Sequence, residues 1–172
     1  MRKDWNGIIK VLEIQHVRNG EVIWEDKHLY NTLHSGGEQF FLQCLFANDG
    51  TLIPDSYYLG LDARTSVAVA DTIGDLEDEP TENGYIRQVL GSDGGWVVNE
   101  VTDVYRAIGN IITFSASGGS WGPVSNLFLT NNSGDDGVLI ASVALSSDLT
   151  LDAGDSINMR MSLSLRDYPE ED

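Results

Sequence analysis

Carboxylates are the most abundant chemically active groups in this 172-residue chain, with 27 Asp and Glu against 10 Lys and Arg. Five of them crowd together, at Asp75, Glu77, Asp78, Glu79 and Glu82. Hard cations such as Ca²⁺ need several oxygen ligands, but this stretch lacks the alternate spacing of an EF-hand loop and Pro80 interrupts it. The segment 131–137 is also rich in oxygens, yet Asn, Asp and Gly are the residues that a hairpin turn requires. Neither stretch predicts a metal site.

Histidine and cysteine offer no better chemistry. The three histidines, His16, His28 and His34, lie in the first fifth of the chain, and the single cysteine is Cys44. Zinc sites need three or four convergent ligands, and neither Cys-x-x-Cys nor His-Glu-x-x-His spacing occurs. No nucleophile elbow, phosphate loop or dinucleotide glycine pattern is present. The sequence predicts no catalytic residue, no metal and no cofactor, and it assigns the histidines structural or surface roles.

The net charge of −17 is unevenly distributed. Residues 1–30 hold five basic and five acidic groups, so residues 31–172 carry the other 22 acids against five bases. Such an acidic body repels phosphate backbones and anionic lipid, which argues against nucleic-acid and membrane partners. Because the first 30 residues are free of that repulsion, we expect them to dock on an acidic protein.

That first segment has the pattern of a β-hairpin. Two apolar stretches, 8–17 and 21–29, flank Asn19-Gly20, and Asn-Gly supplies the two positive-φ residues of a tight type I′ turn. The apolar residues do not keep to one face, so the hairpin must be covered on both faces by its own domain or by a neighbouring subunit. Ser35 and Glu38 then match a capping box, which predicts a helix over 36–47 that packs one apolar face on a sheet.

The rest of the chain predicts short antiparallel strands. The clearest is Ser156–Arg166, in which apolar and polar residues alternate with the period of two that marks a half-buried strand. Residues 62–83 predict an exposed excursion with one helical turn near 71–76. The other predicted strands are 56–61, 85–90, 96–99, 104–107, 111–116, 124–130 and 138–145. We therefore expect a single compact domain: an antiparallel β-sandwich or jelly-roll-like body (31–172) with an N-terminal β-hairpin arm (1–30) and one short α-helix.

Several short segments of the sequence together resemble those of a known class of protein. They are Asn31-Thr-Leu-His34, Gly37-Glu-Gln-Phe40, Tyr57-Tyr-Leu-Gly-Leu-Asp62, Asn83-Gly-Tyr-Ile-Arg87, Trp121-Gly-Pro123, Leu139-Ile-Ala-Ser142 and Ala153-Gly-Asp155. Together they resemble small structural proteins of tailed-phage virions, most closely the capsid decoration, or cement, proteins. The resemblance implies a non-enzymatic protein, made in the host cytoplasm, that sits as a homotrimer on the virion capsid surface over junctions between major capsid protein subunits.

On that interpretation the predicted partner contacts lie in the hairpin arm, at Trp5, Ile9, Val11, Trp24 and Leu29. Tail and fibre components share similar β-rich phrases, so a tail or carbohydrate-binding module that contacts the host surface remains the alternative. A hydrolase built on scattered carboxylates ranks below both, because nothing in the sequence favours one acid pair.

Overall fold

Two antiparallel β-sheets and one α-helix form the described part of the chain. The computed structural model describes residues 9–47, 50, 53–91, 96–101 and 104–164. The elements are β1 (Ile9–Arg18), β2 (Glu21–Tyr30), β3 (Thr32–Leu33), α1 (Ser35–Phe46), β4 (Ser56–Asp62), β5 (Gln88–Gly91), β6 (Trp96–Val101), β7 (Val104–Gly109), β8 (Ile112–Ser115), β9 (Trp121–Thr130), β10 (Leu139–Leu151) and β11 (Ser156–Ser164). The predicted fold class, a mainly β sandwich with one helix, is confirmed.

The first sheet is built around the last strand. Its order is β2-β1-β11-β7-β6, and β8 pairs with β11 beside β7. The predicted alternation in β11 holds for Ile157, Met159 and Met161, which are buried in the core between the sheets. Ser162 and Ser164, on the polar face of the strand, are buried as well, so the far half of β11 is not exposed to solvent on that face.

The predicted N-terminal hairpin is present, but it belongs to the sheet of the body. Asn19 and Gly20 both have positive φ, 53° and 81°, and join β1 to β2. Strand β1 lies between β2 and β11, pairing from Ile9 with Leu163 to Val17 with Ser156. The second sheet covers its apolar face. A body that lacked residues 1–30 would lose an internal strand, so we do not expect it to remain folded.

The second sheet is buried on both of its faces at strand β9. Its order is β3-β10-β9-β4-β5. Strand β9 is buried without a break from Val124 to Thr130, with Leu127 and Leu129 in the main core and Phe128 in a second cluster with Ile73 and Leu139. A continuous buried run of this kind marks a strand that is covered on both sides.

The excursion between β4 and β5 is the layer that covers the outer face of the second sheet. It contains the predicted helical turn, as a 3₁₀ turn at Ile73–Asp75. The expectation of a wholly exposed excursion is wrong for Arg64 and Ile73, which are 3% and 8% exposed. In the acidic run, Glu77, Asp78 and Glu82 are exposed, whereas Glu79 is half-buried against a guanidinium.

Helix α1 begins and ends within one residue of its predicted bounds, but the capping box is absent. The Ser35 hydroxyl instead donates to the carbonyl of Val69 at 3.2 Å, which ties the helix start to the excursion. Gly37 and Phe40 are the buried residues of the helix. A Cβ on Gly37 would overlap the backbone of Ile140, so glycine is what allows the helix to lie directly on β10.

A second close approach gives a stability prediction. Gly60 lies opposite Phe128 in the β4–β9 pairing, and a Cβ on Gly60 would overlap the Phe128 ring. The ring is buried, with the Arg87 guanidinium 5.1 Å from its centre, so it has little room to move. We expect Gly60→Ala to lower the free energy of unfolding by about 1–3 kcal/mol, measured by urea unfolding. Gly74→Ala is the control, since its nearest neighbour would be at an ordinary 3.6 Å. Equal effects of the two substitutions would contradict this packing.

Candidate functional site: an apolar groove beside the helix

Of the five predicted contact residues, the four that the structure describes do not form a surface patch. Ile9 and Val11 are 2% and 0% exposed and belong to the core of the chain itself. Trp24 and Leu29 are half-buried and pack against the same core. Trp5 lies outside the described residues. Ile9 or Val11 could contact a partner protein only if β1 left the sheet, because both side chains pack in the core of the sandwich.

An exposed apolar surface beside a concavity lies instead on α1. Leu42, Leu45 and Phe46 are 52%, 61% and 82% exposed, and Ile53, just after the helix, is 64% exposed. These four side chains line a groove of about 560 Å³ together with Tyr57, Leu33 and Leu163. We call this the helix groove. Soluble proteins seldom expose so many large apolar side chains together unless the surface binds something.

The helix groove continues into the sandwich. A smaller space of about 150 Å³ shares Phe41, Tyr57 and Leu163 with it and reaches Trp96 and Leu129 between the two sheets. Aromatic contacts hold the shared wall: the Phe40 ring is 5.8 Å from Phe41 and meets Tyr57 edge-on at 6.4 Å. A partner side chain in the groove would therefore meet preformed, closely packed rings.

The sequence builds this groove by making the helix apolar on more than one face. Positions 40–46 read Phe-Phe-Leu-Gln-Cys-Leu-Phe, but only the face of Gly37 and Phe40 is buried on β10. The remaining apolar face is therefore left at the surface. This signal is visible in the sequence, since a helix that needs to cover one sheet requires only one apolar stripe.

The lining of the helix groove is almost entirely apolar. Among its described lining residues, Glu38 is the only carboxylate, so no acid–base pair faces the groove. Burial raises the pKa of the Tyr57 phenol, so this hydroxyl, which is neutral at physiological pH even without the shift, adds no charge to the groove. An apolar wall with a single acid favours uncharged, projecting apolar side chains on a protein partner.

The histidines have structural partners. His16 Nε2 lies 2.8 Å from the Asp155 carboxylate and the Nε2 of His34 lies 2.8 Å from the Ser142 hydroxyl. His16 is opposite Trp24 in the hairpin, so His28 lies four positions away along β2. Among the described residues, no group of three His, Cys, Asp or Glu side chains is placed to hold a metal ion.

Comparison with models of known protein families and with curated proteins finds no match to this chain. No α-helix in the described parts of the chain has the length and hydrophobicity needed to span a membrane. The function must therefore be argued from the helix groove and from the charge distribution.

Proposed function

We propose that this chain is a non-enzymatic structural protein of a tailed-phage virion, a capsid decoration protein that binds the major capsid protein and stabilises the shell from outside. The exposed helix groove carries the proposal, because its 82% exposed Phe46 and its apolar lining offer a protein-binding surface on an otherwise acidic molecule. The resemblance to decoration proteins supplies the partner, a homo-oligomeric state and the place on the capsid surface.

The mechanism is mechanical. Packed DNA pushes a capsid outward, and a clamp that buries apolar surface across a subunit junction raises the free energy needed to separate the subunits. Apolar burial contributes roughly 25 cal/mol per Å², so about 1,000 Å² gives a gross term of about 25 kcal/mol before the costs of association are subtracted. The net charge of −17 keeps such a protein away from nucleic acid during assembly.

Phe46→Glu tests the proposal. Phe46 is the most exposed large apolar residue among the described ones, and it is part of the helix groove. Truncating a central aromatic contact typically costs 2–4 kcal/mol, so we expect binding to DNA-free shells to weaken about 100-fold in a co-sedimentation assay. The free energy of unfolding should change little, because the side chain makes few contacts within the chain.

Ile111→Glu is the matched control. Ile111 is 66% exposed and lies between β7 and β8, outside the helix groove. It should bind shells as the wild-type protein does. If Phe46→Glu binds at wild-type strength, or if both variants lose binding equally, the helix groove is not the docking surface.

A carbohydrate-binding tail or fibre module is the second candidate, supported by a different surface. A shallow depression of about 280 Å³ places Tyr58 beside Asp55, Asn131 and Asn132, a mixture of ring and polar groups that suits a sugar. However, the side-chain oxygens of both asparagines already accept backbone N–H groups, from Val138 and Gly134. A glycan array that detects binding lost in Tyr58→Ala would favour this candidate over the first.

A further inference from the structure

Five strands, β2, β3, β5, β6 and β8, lie at the edge of a sheet or beside it. All of them except β6 are poorly suited to pairing with a strand of another chain. Edge strands expose unpaired backbone N–H and C=O groups, and proteins protect them by shortness, charge or cover. Strand β3 has two residues, and β5 and β8 have four each. Strand β2 is long, but it carries Glu21, Glu25, Asp26 and Lys27, and Asp26 accepts the Ser146 N–H of β10 at 3.3 Å.

Strand β6 lacks these protections. It ends the six-stranded sheet, and among the described residues no strand pairs with its outer edge. Its six residues, Trp-Val-Val-Asn-Glu-Val, include no Lys or Pro and a single charge, that of Glu100. Val97 and Val98 are 55% and 67% exposed on opposite faces, and Tyr105 on the neighbouring β7 is 64% exposed. A long apolar edge of this kind is expected to be covered by another strand.

The charge distribution indicates that the covering strand belongs to a second copy of this chain. A protein with net charge −17 repels itself over most of its surface. The segment 96–109 carries two acids, Glu100 and Asp103, against one base, Arg106, so its net charge is only −1 in a chain whose net charge is −17. Two copies can therefore approach at this hairpin with less repulsion than at the more acidic parts of the chain.

We propose that β6 pairs antiparallel with β6 of a second copy across a two-fold axis at Val98, which joins the two six-stranded sheets edge to edge. A two-fold axis perpendicular to a sheet keeps the faces of both copies on the same side, so each Val98 lies opposite Val98 of the second copy. Val97 then lies opposite Asn99 of the second copy, and Glu100 lies opposite Trp96 of the second copy. In this register Glu100 of one copy does not lie opposite Glu100 of the other copy.

The predicted contact is small, so we expect the dimer to be weak. One six-residue strand with its flanking side chains buries less than the roughly 1,600 Å² of a standard stable interface. The dimer should therefore be reversible and dependent on concentration. Its two-fold symmetry closes at two copies, in contrast to the trimer that the resemblance implies.

Val98→Asp tests the pairing. Sedimentation equilibrium over a concentration series should show the full chain shifting from 18.8 kDa towards twice that mass as concentration rises. Val98→Asp should remain at 18.8 kDa throughout, because two carboxylates would meet at the axis. Val22→Asp on β2 is the matched control, since Val22 is 51% exposed at an edge, and it should dimerise as the wild-type protein does.

A cross-link fixes the register. In a Cys44→Ser background, Val98→Cys should form disulfide-linked dimers under mild oxidation, and Val22→Cys should not. Equal cross-linking of the two variants would overturn the pairing. So would a wild-type protein that stays monomeric at every concentration, a trimer whose mass Val98→Asp leaves unchanged, or a dimer that Val22→Asp dissociates equally.

Discussion

Replacing Arg64 by Leu is expected to lower the free energy of unfolding by about 3–5 kcal/mol. Arg64 and Asp62 are 3% and 0% exposed, and the Arg64 Nε donates to the Asp62 carboxylate at 3.0 Å. Arg64 also reaches Asp71 at 3.2 Å, which fastens the excursion to the second sheet. The substitution leaves the Asp62 carboxylate buried without its countercharge, and this uncompensated charge is the main source of the expected loss.

The pH dependence of this loss tests whether it is electrostatic in origin. Burial raises the pKa of Asp62 above its usual range, and the effect of Arg64 opposes it only in part. A carboxyl group whose pKa is raised in the folded state contributes more stability as the pH falls towards that pKa. Removing Arg64 raises the pKa of Asp62 further. The pKa of His34 is lowered first by burial and next by the charge of Arg64, so removing Arg64 also raises the pKa of His34. Both changes should make the deficit of Arg64→Leu smaller at pH 5 than at pH 7.

Urea unfolding at the two pH values measures this effect. Arg160→Leu is the control, because Arg160 is exposed on β11 and its substitution should cost less than about 0.5 kcal/mol at both pH values. A loss in Arg64→Leu that is large but independent of pH would point to lost packing of the arginine stem and not to the buried charge.

Local sequence signals predict the helix and most of the strands. The Asn19-Gly20 turn depends on two adjacent positive-φ residues, and the alternation in β11 depends on residues two apart, so both can be recognised in a short window. The β3 strand was not predicted, because two residues carry no periodicity. The N-terminal boundary of α1 was predicted by a capping box that the helix does not use, since Ser35 has a partner from a distant part of the chain.

The candidate site could not be predicted in the same way, because its parts are distant in sequence. The helix groove joins α1 to Tyr57 of β4 and to Leu163 of β11, and only the sheet order brings these together. The predicted contacts Ile9 and Val11 show the converse. Their apolar character was recognised, but apolar residues serve the core and an interface equally well, and only the pairing of β1 with β11 assigns them to the core.

Asp155 is a further case in which distant residues meet, and Asp155→Asn is expected to lower the free energy of unfolding by about 2–4 kcal/mol. The Asp155 carboxylate is buried in the turn between β10 and β11. It accepts hydrogen bonds from Arg18 Nη2 at 2.7 Å and from the Asp152 backbone N–H at 2.9 Å, and His16 Nε2 lies 2.8 Å away. These contacts join the end of β1 to the last hairpin of the chain.

The loss of stability caused by Asp155→Asn should disappear in acid. Hydrogen bonding from Arg18, the largest cause, holds the pKa of Asp155 well below its usual range. A carboxyl group with a lowered folded-state pKa contributes stability above its unfolded pKa, about 3.9, and loses that contribution as the pH falls through the folded value. The difference between wild type and Asp155→Asn should therefore be constant near pH 7 and shrink below about pH 4, measured by urea unfolding across that range.

Asp152→Asn is the decisive control, because Asp152 contacts the same guanidinium at 2.8 Å but its side chain is 62% exposed. Solvent-exposed ion pairs contribute about 0–1 kcal/mol, so this variant should be nearly as stable as the wild type at every pH. If the two variants lose equal stability, Arg18 itself is the important group and the buried position of Asp155 adds nothing. If Asp155→Asn alone is unstable, and only above pH 4, the stability comes from a buried carboxylate whose side-chain partners, Arg18 and His16, lie more than a hundred residues away along the chain.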